Sequence, residues 1–340
     1  GRVTDCPAFR GADRTGRFTS AEFSTNWKKH PPRELWRQPI GLAWSSFAVV
    51  GNYCFTQEQR GEYEVVSCYE LQTGREVWRH KDPTRFFEVT SGTGPRATPA
   101  VHNGNVYALG ATGILNCLDG STGQCLWTVN VLPDGSDPNC IFGMTGSPLV
   151  VNDLVIVTPG GRGNSVVAFA AQTGERVWAG GDAAASYSSP HLGDLCGVRQ
   201  ILNFNAEGLY AQRLEDGESL WRIPWISNPA ERNNVCQPVV FSAGADKPDR
   251  VLISSGYGQG TAMFAVQREN DQFLVEEVWH SRKLQSKFSS VIAHDGCLYG
   301  LDNGILTCLE LSNGRKLWKG GRYGYGQLVL VNDTLLVQCE

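Results

Sequence analysis

Short stretches of alternating apolar and polar residues run the length of this chain, and apolar positions at helical spacing are scarce. Asn105-Val106-Tyr107-Ala108-Leu109 and Cys297-Leu298-Tyr299-Gly300-Leu301 are typical. A period of two sends successive side chains to opposite faces of a strand. A second kind of stretch ends in tryptophan behind a Thr-Gly-type turn. It reads Gln72-Thr73-Gly74-Arg75-Glu76-Val77-Trp78, then Ser121-Thr122-Gly123-Gln124-Cys125-Leu126-Trp127 and Gln172-Thr173-Gly174-Glu175-Arg176-Val177-Trp178. It returns as Glu215-Asp216-Gly217-Glu218-Ser219-Leu220-Trp221 and Ser312-Asn313-Gly314-Arg315-Lys316-Leu317-Trp318. Trp279 closes a degenerate copy, and Trp36 stands near the start without the preceding turn. The tryptophans recur about every 45 residues, and a period of that length in an alternating sequence marks a four-stranded repeat.

Each repeat also opens alike, on small residues and proline: Ser45-Ser46, Ala97-Thr98-Pro99, Gly146-Ser147-Pro148, Ser188-Ser189-Pro190, Gln237-Pro238 and Ser289-Ser290. The pattern predicts four short antiparallel strands, A to D, per repeat. Such a sheet cannot bury both faces alone, so neighbouring sheets stack as propeller blades. The expectation is an all-β chain in which residues 34–340 form a single β-propeller and residues 1–33 an N-terminal extension packed on it. Trp36, Trp78, Trp127, Trp178, Trp221, Trp279 and Trp318 are assigned to packing between blades, with the turn glycines at positive φ. Residues 327–337 read as strands A and B alone. The N-terminal strand around Trp36 is expected to close the ring, giving seven blades with the last a strand short, or eight if the chain continues past Glu340.

Composition narrows the function. Hydrophobic residues make up 41% and charged residues 19%, enough for a packed core. Lys and Arg total 30 against 34 Asp and Glu, a net charge of −4, which leaves no basic excess to displace phosphate counterions and argues against nucleic acid as a partner. No apolar run approaches the ~20 residues of a membrane span, and a monomer is expected. The 11 cysteines include no adjacent pair, and the six histidines are scattered, so a zinc site is not expected. Cys54 with Cys68, and Cys297 with Cys308, flank hairpins and are candidate disulfides. The competing reading is that strand-C cysteines are small buried residues, because Cys117 recurs at that place with Val106 in the partner position. The glycine-rich stretches at 159–164 and 255–260 read as turns between strands B and C rather than phosphate loops, and no Gly-x-Ser-x-Gly elbow occurs. No charged and apolar leader stands at Gly1, so either there is no secretion signal or it was removed before this numbering begins; a periplasmic or secreted location with the signal peptide removed is the expectation.

The repeats resemble those of the PQQ-like repeat propellers, which include quinoprotein alcohol dehydrogenases and the propeller lipoprotein of the outer-membrane assembly machinery. The resemblance runs from about Leu35 to Val337. Phe9-Arg10-Gly11-Ala12-Asp13-Arg14-Thr15-Gly16 is similar to the opening of secreted bacterial members. For the dehydrogenases the resemblance implies PQQ on a tryptophan floor under a vicinal disulfide, with Ca²⁺ held by Glu, Asn and Asp; this chain lacks the adjacent cysteine pair. Aligning the repeats places Trp44, Arg96, Tyr187, Phe288 and Tyr325 just before strand A, with Met144, Asn234 and Lys287 one position earlier. These eight are the candidate ligand-binding residues of an axial funnel, where rings stack and cations pair with a planar anion or a sugar acid. The alternative role for them is to plug the channel. The longest intervals between tryptophans mark 132–144 and 224–235 as partner-facing rim loops. The chain is therefore expected to be a non-catalytic extracytoplasmic propeller that binds a protein or a saccharide, with no catalytic or metal-ligating residues and no cofactor. The alternative is a PQQ- and Ca²⁺-dependent alcohol or sugar dehydrogenase with a divergent site in the funnel.

Overall fold

The computed structural model describes residues 5–19, 23–132, 140–228, 232–243 and 248–339. The fold is all-β, a propeller of four-stranded antiparallel blades, and in each blade every strand pairs with the next in sequence. β1 (Arg17–Phe18) precedes the first blade, which comprises β2 (Ala48–Val50), β3 (Tyr53–Arg60), β4 (Tyr63–Glu70) and β5 (Glu76–Asp82). A two-stranded hairpin, β6 (Phe87–Glu88) and β7 (Gly92–Thr93), leads to the second blade, β8 (Ala100–His102), β9 (Asn105–Leu109), β10 (Ile114–Asp119) and β11 (Cys125–Asn130). The third is β12 (Leu149–Val151), β13 (Leu154–Val157), β14 (Val166–Ala170) and β15 (Arg176–Gly180), and the fourth β16 (His191–Leu195), β17 (Val198–Asn205), β18 (Gly208–Arg213) and β19 (Ser219–Pro224). The fifth is β20 (Val239–Phe241), β21 (Asp249–Ser255), β22 (Gly260–Glu269) and β23 (Gln272–Ser281), and the sixth β24 (Ile292–His294), β25 (Cys297–Asp302), β26 (Ile305–Glu310) and β27 (Lys316–Arg322). β28 (Gln327–Val331) and β29 (Thr334–Gln338) form a last hairpin.

The chain divides into two compact units. The first is Gly1–Val131 with Ile141–Pro148 and Val331–Thr334; the second is Leu132–Cys140, Leu149–Leu330 and Leu335–Glu340. Their cores lie between adjacent sheets. In the first unit Phe55, Val66 and Trp78 of one blade pack on Val106, Ala108 and Leu118 of the next. In the second, Leu202, Phe204 and Trp221 meet Val251, Ile253 and Phe264 in the same way.

The tryptophans owe their direction to a repeated irregularity. In each of the six four-stranded blades among the described residues the C–D pairing slips by one residue immediately before the tryptophan: Cys117 pairs with Trp127 but Leu118 with Cys125, and Ala168 with Trp178 but Phe169 with Arg176. The same step occurs at Trp78, Trp221, Trp279 and Trp318. A bulge leaves one residue unpaired and re-aims its neighbour. Here it turns the indole out of its own sheet. Opposite it on strand C stands a small or pliable residue: Cys68, Cys117, Ala168, Ala211, Met263 or Cys308. In the first unit the Trp78 ring lies on the turn at Gly123, and its Nε1 donates to Gly120 O at 3.0 Å. Gly123 has φ +73°, and a Cβ there would lie 2.5 Å from the ring. In the second unit Trp279 sits on Gly314 and donates to Leu311 O at 3.1 Å, and Trp178 sits on Gly217.

Three tryptophans depart from this arrangement. The blade after Trp221 has no glycine turn, because Asn270 and Asp271, both at positive φ, join its last two strands. Trp221 stays buried and donates instead to Gln200 Oε1 of its own blade at 2.7 Å. Trp318 is 44% exposed. Trp36 rests on Gly74 and donates to Leu71 O at 2.8 Å, but the segment around it is not a strand. Two prolines just before it, Pro31 and Pro32, carry no N–H to offer a ladder. The N-terminal hydrogen bond to the last hairpin comes from β1 instead, with Asn332 N donating to Phe18 O at 2.9 Å.

All eleven cysteines are free thiols. Cys54 lies opposite Tyr69 and Cys68 opposite Phe55, so their side chains point to opposite faces and no bridge can form. Cys297 lies opposite Glu310, and Cys308 opposite Tyr299. That pair is displaced along the ladder rather than directly opposed. The strand-C cysteines are the small partners that make room for an indole, and burial pushes the Cys68 and Cys308 thiols up to about 12.

Candidate functional site

Trp44, Arg96 and Met144 lie in the first unit, where the loop 83–95 organises them. Trp44 N donates to Pro95 O at 3.0 Å and its Nε1 to Ser91 O at 2.6 Å, so the residue is fastened to that loop although it is 67% exposed. Leu42, Phe87 and Val89 are exposed as well, the last two on or beside β6. Arg96 faces the other way. Its guanidinium lies 4.5 Å over the Phe86 ring and donates to Phe142 O at 2.9 Å, Gly92 O at 3.0 Å, Ser91 Oγ at 2.7 Å and Gly94 O. Burial lowers its pKa, opposed by Glu64 and Glu88. A planar fork that satisfies several carbonyls at once is a loop staple. Met144 is buried, with its N donating to Ala111 O at 2.9 Å. Of the three, Trp44 alone presents its side chain to solvent.

Beneath this loop lies a polar cluster without a local sequence signature. Glu64 and Asp82 are direct cross-strand partners on β4 and β5. Both reach the second blade: Glu64 Oε1 accepts from Ala111 N at 3.2 Å, and Asp82 Oδ2 accepts from Asn116 Nδ2 at 2.6 Å. Glu64 Oε2 and Asn116 Oδ1 are buried without a hydrogen-bond partner. Desolvation raises the Glu64 pKa to about 7; the Ala111 amide and Arg96 oppose the rise and Asp82 adds to it. The three residues come from three strands of two blades, so no spacing rule could have grouped them.

The remaining candidates lie in the second unit, in two groups. Tyr187 N donates to Asn234 O at 3.0 Å. Asn234 Nδ2 donates to Asn205 O at 2.8 Å and Trp225 O at 3.1 Å. Both residues are buried, and these hydrogen bonds brace the chain. Lys287, Phe288 and Tyr325 form the other group. The Lys287 ammonium lies 5.0 Å from the Phe288 ring centre, 5.2 Å from that of Tyr325 and 4.9 Å from that of Tyr257. Phe288 and Tyr325 meet edge to face at 5.1 Å, and both are exposed. Among the described residues no carboxylate pairs with Lys287. Tyr257 belongs to the 255–260 stretch, which is the turn expected there, joining β21 to β22.

Of the two proposed rim loops, 132–144 lies mostly outside the described residues. In 224–235, Trp225 is buried and donates to Ser255 Oγ at 2.7 Å, while Ile226 is exposed. Among the described residues no three His, Cys, Asp or Glu side chains are grouped to hold a metal ion, and no helix is long and apolar enough to cross a membrane.

The family model described as outer membrane protein assembly factor BamB matches residues 31–128 and 62–320. The outer membrane protein assembly factor BamB of Burkholderia pseudomallei (strain K96243) is 26% identical over 328 residues, covering 88% of this chain and 74% of that protein. The quinohemoprotein alcohol dehydrogenase ADH-IIG of Pseudomonas putida is 31% identical over 158 residues, covering 41% of this chain and 21% of that enzyme. The crystal structure of BamB from Moraxella catarrhalis superposes with a TM-score of 0.60 at 15% identity, covering 87% of this chain and 80% of that one. That likeness is one of fold.

Proposed function

This chain belongs to the family described as outer membrane protein assembly factor BamB, and from that premise we propose that it is a non-catalytic extracytoplasmic module that binds a protein partner. The observation that carries this reading is extent: the assembly-factor relative matches across 88% of the chain, whereas the dehydrogenase match is confined to a fifth of that enzyme's length. The exposed Trp44, Leu42, Phe87 and Val89 supply an apolar face of the kind protein partners cover. A periplasmic or secreted location goes with the proposal.

The residues at the expected mouth do not fit a quinone. No adjacent cysteines exist to make the lid, Arg96 commits its donors to its own loop and to the Phe142 carbonyl, and Met144, Tyr187 and Asn234 are buried. Two measurements test the proposal. Absorbance titration with PQQ and Ca²⁺ is expected to give no saturable signal; saturable binding with dye reduction by an alcohol would restore the dehydrogenase alternative. A photo-crosslinking residue in place of Trp44 is expected to trap one discrete protein in the envelope of the producing cell, with none trapped from exposed Tyr53. Equal trapping at both positions would remove the assignment of this face.

A further inference from the structure

The sequence motif at 9–16 lies inside a segment that grips the first unit by its main chain. β2 and β8 are the first strands of their sheets, each paired on one side only, by β3 and by β9. Their other edges meet the N-terminal segment. Cys6 N donates to Val49 O and Val49 N to Cys6 O, both at 2.7 Å; Val101 N donates to Pro7 O at 2.7 Å. Gly51 N donates to Asp5 Oδ1 at 3.0 Å. One short stretch thus bridges the free edges of two neighbouring sheets. A loop then brings in Arg14, whose Nη1 donates to Pro148 O at 2.7 Å and Nη2 to Ser147 O at 2.9 Å.

This hold is slight for a permanent element. Three main-chain hydrogen bonds contribute only about 0.5–1.5 kcal/mol each. Arg10 and Arg14 both sit at positive φ, +63° and +58°, a conformation that costs a non-glycine residue roughly 1–2 kcal/mol. Arg14 is 3% exposed, meets carbonyls but no carboxylate, and leaves Nε without an acceptor. The orphaned Nε offsets part of what the two Arg14 hydrogen bonds contribute. Covalent attachment, through a high effective concentration, makes up the difference.

We propose that the free edges of β2 and β8 form a strand-addition site for an extended peptide, and that Asp5–Pro7 fills it in cis as a displaceable occupant. The site fits a partner segment that offers main-chain groups at two successive positions and an arginine eight residues after the first. Specificity comes from the arginine reaching the Ser147 and Pro148 carbonyls, and affinity from the edge pairing.

The test uses the whole chain and a fluorescent synthetic peptide with the sequence of residues 5–18. In C6P/R14A the cis segment loses one edge donor and its clamp, so the peptide is expected to bind at least ten-fold more tightly than to the unaltered chain. A peptide carrying Arg14→Ala is expected to bind at least ten-fold more weakly. Val101→Pro in the C6P/R14A background should abolish binding by removing the edge donor. Hydrogen exchange on the unaltered chain reads the same point without a variant. The Val49 and Val101 amides should exchange at least ten-fold faster than those of Phe55 and Tyr107. Equal exchange, or absence of peptide binding to a C6P/R14A chain with an unchanged circular dichroism spectrum, would overturn the proposal. Concentration-dependent dimers by light scattering would also overturn it, assigning the edge to a second copy of this chain.

Discussion

Above the ordinary carboxylate range, one buried carboxyl, Glu64, works against the stability of the first unit. Glu64 is 3% exposed, and its folded pKa of about 7 lies above the ordinary 4.5 because burial disfavours the anion. Between those values the folded state holds more protons than the unfolded chain, so stability falls as pH rises through the window. The contribution is complete below about pH 4.5 and lost by about pH 7, a loss of roughly 3 kcal/mol at 1.36 kcal/mol per unit. Glu64→Gln removes the ionisation and keeps the shape. Urea denaturation at pH 5 and pH 8 should show the variant close to the parent at pH 5 and more stable than it at pH 8. A parent stability that is flat across this range, or that climbs, would refute the assignment. The tryptophans allow a second test at this scale. Trp78 Nε1 has an acceptor in Gly120 O, whereas Trp178 Nε1 is buried without one. Replacement by phenylalanine removes a made hydrogen bond at Trp78, to the half-buried Gly120 carbonyl, but at Trp178 removes a buried N–H that had no acceptor, so Trp78→Phe should cost about 1 kcal/mol more than Trp178→Phe in the same denaturation assay.

Between blades, the unit of attachment is an indole on a turn, and glycine is required there for two separable reasons. Gly217 has φ +74°, and a Cβ would run into the Trp178 ring; Gly51 has φ +60° with nothing within 4 Å of the same atom. Gly51→Ala therefore tests backbone strain alone, about 1 kcal/mol. Gly217→Ala adds displacement of a packed ring and should cost roughly 2–4 kcal/mol. Similar losses for the two variants in thermal melts would show that the ring contact contributes little. This attachment was legible in the sequence because its parts are local: a turn glycine, a tryptophan four positions on, and alternation on either side. The bulge was not legible, since the unpaired residue before each tryptophan is an ordinary Val or Leu whose role exists only in the register. The expected mouth was legible only as a set of positions. Sequence places Arg96 just before strand A of its repeat and Lys287 one position earlier in its own, but what each side chain does depends on its loop. The Phe142 carbonyl takes Arg96 inward, and Tyr257, from a separate turn, gives Lys287 a third ring. The Glu64, Asp82 and Asn116 cluster had no signal at all, because it joins strands that are neighbours only after folding.

For the whole molecule, stability in a repeat fold is approximately the sum of each blade and its contact with the next, and that contact is uneven along the chain. Trp279 is 8% exposed beneath its turn, while Trp318, at the same place in the following blade, is 44% exposed. All seven residues of β27, which carries Trp318, are exposed, including Leu317. Removing a buried indole costs about 3–5 kcal/mol, so Trp279→Ala should approach that figure. An indole with nearly half its surface in water has already forgone much of its transfer free energy, and Trp318→Ala should cost less than about 1.5 kcal/mol. Native-state hydrogen exchange then follows the same gradient, because local opening is easiest where little apolar surface is covered. Amides of β27 should exchange through local opening well before those of β21 and β22, whose residues Val251, Leu252, Ile253 and Met263 are buried between sheets. Exchange of β27 at the rate of the fully buried strands, together with equal losses for the two alanine variants, would mean that something covers Trp318 in solution, and the uneven distribution of stability would have to be abandoned.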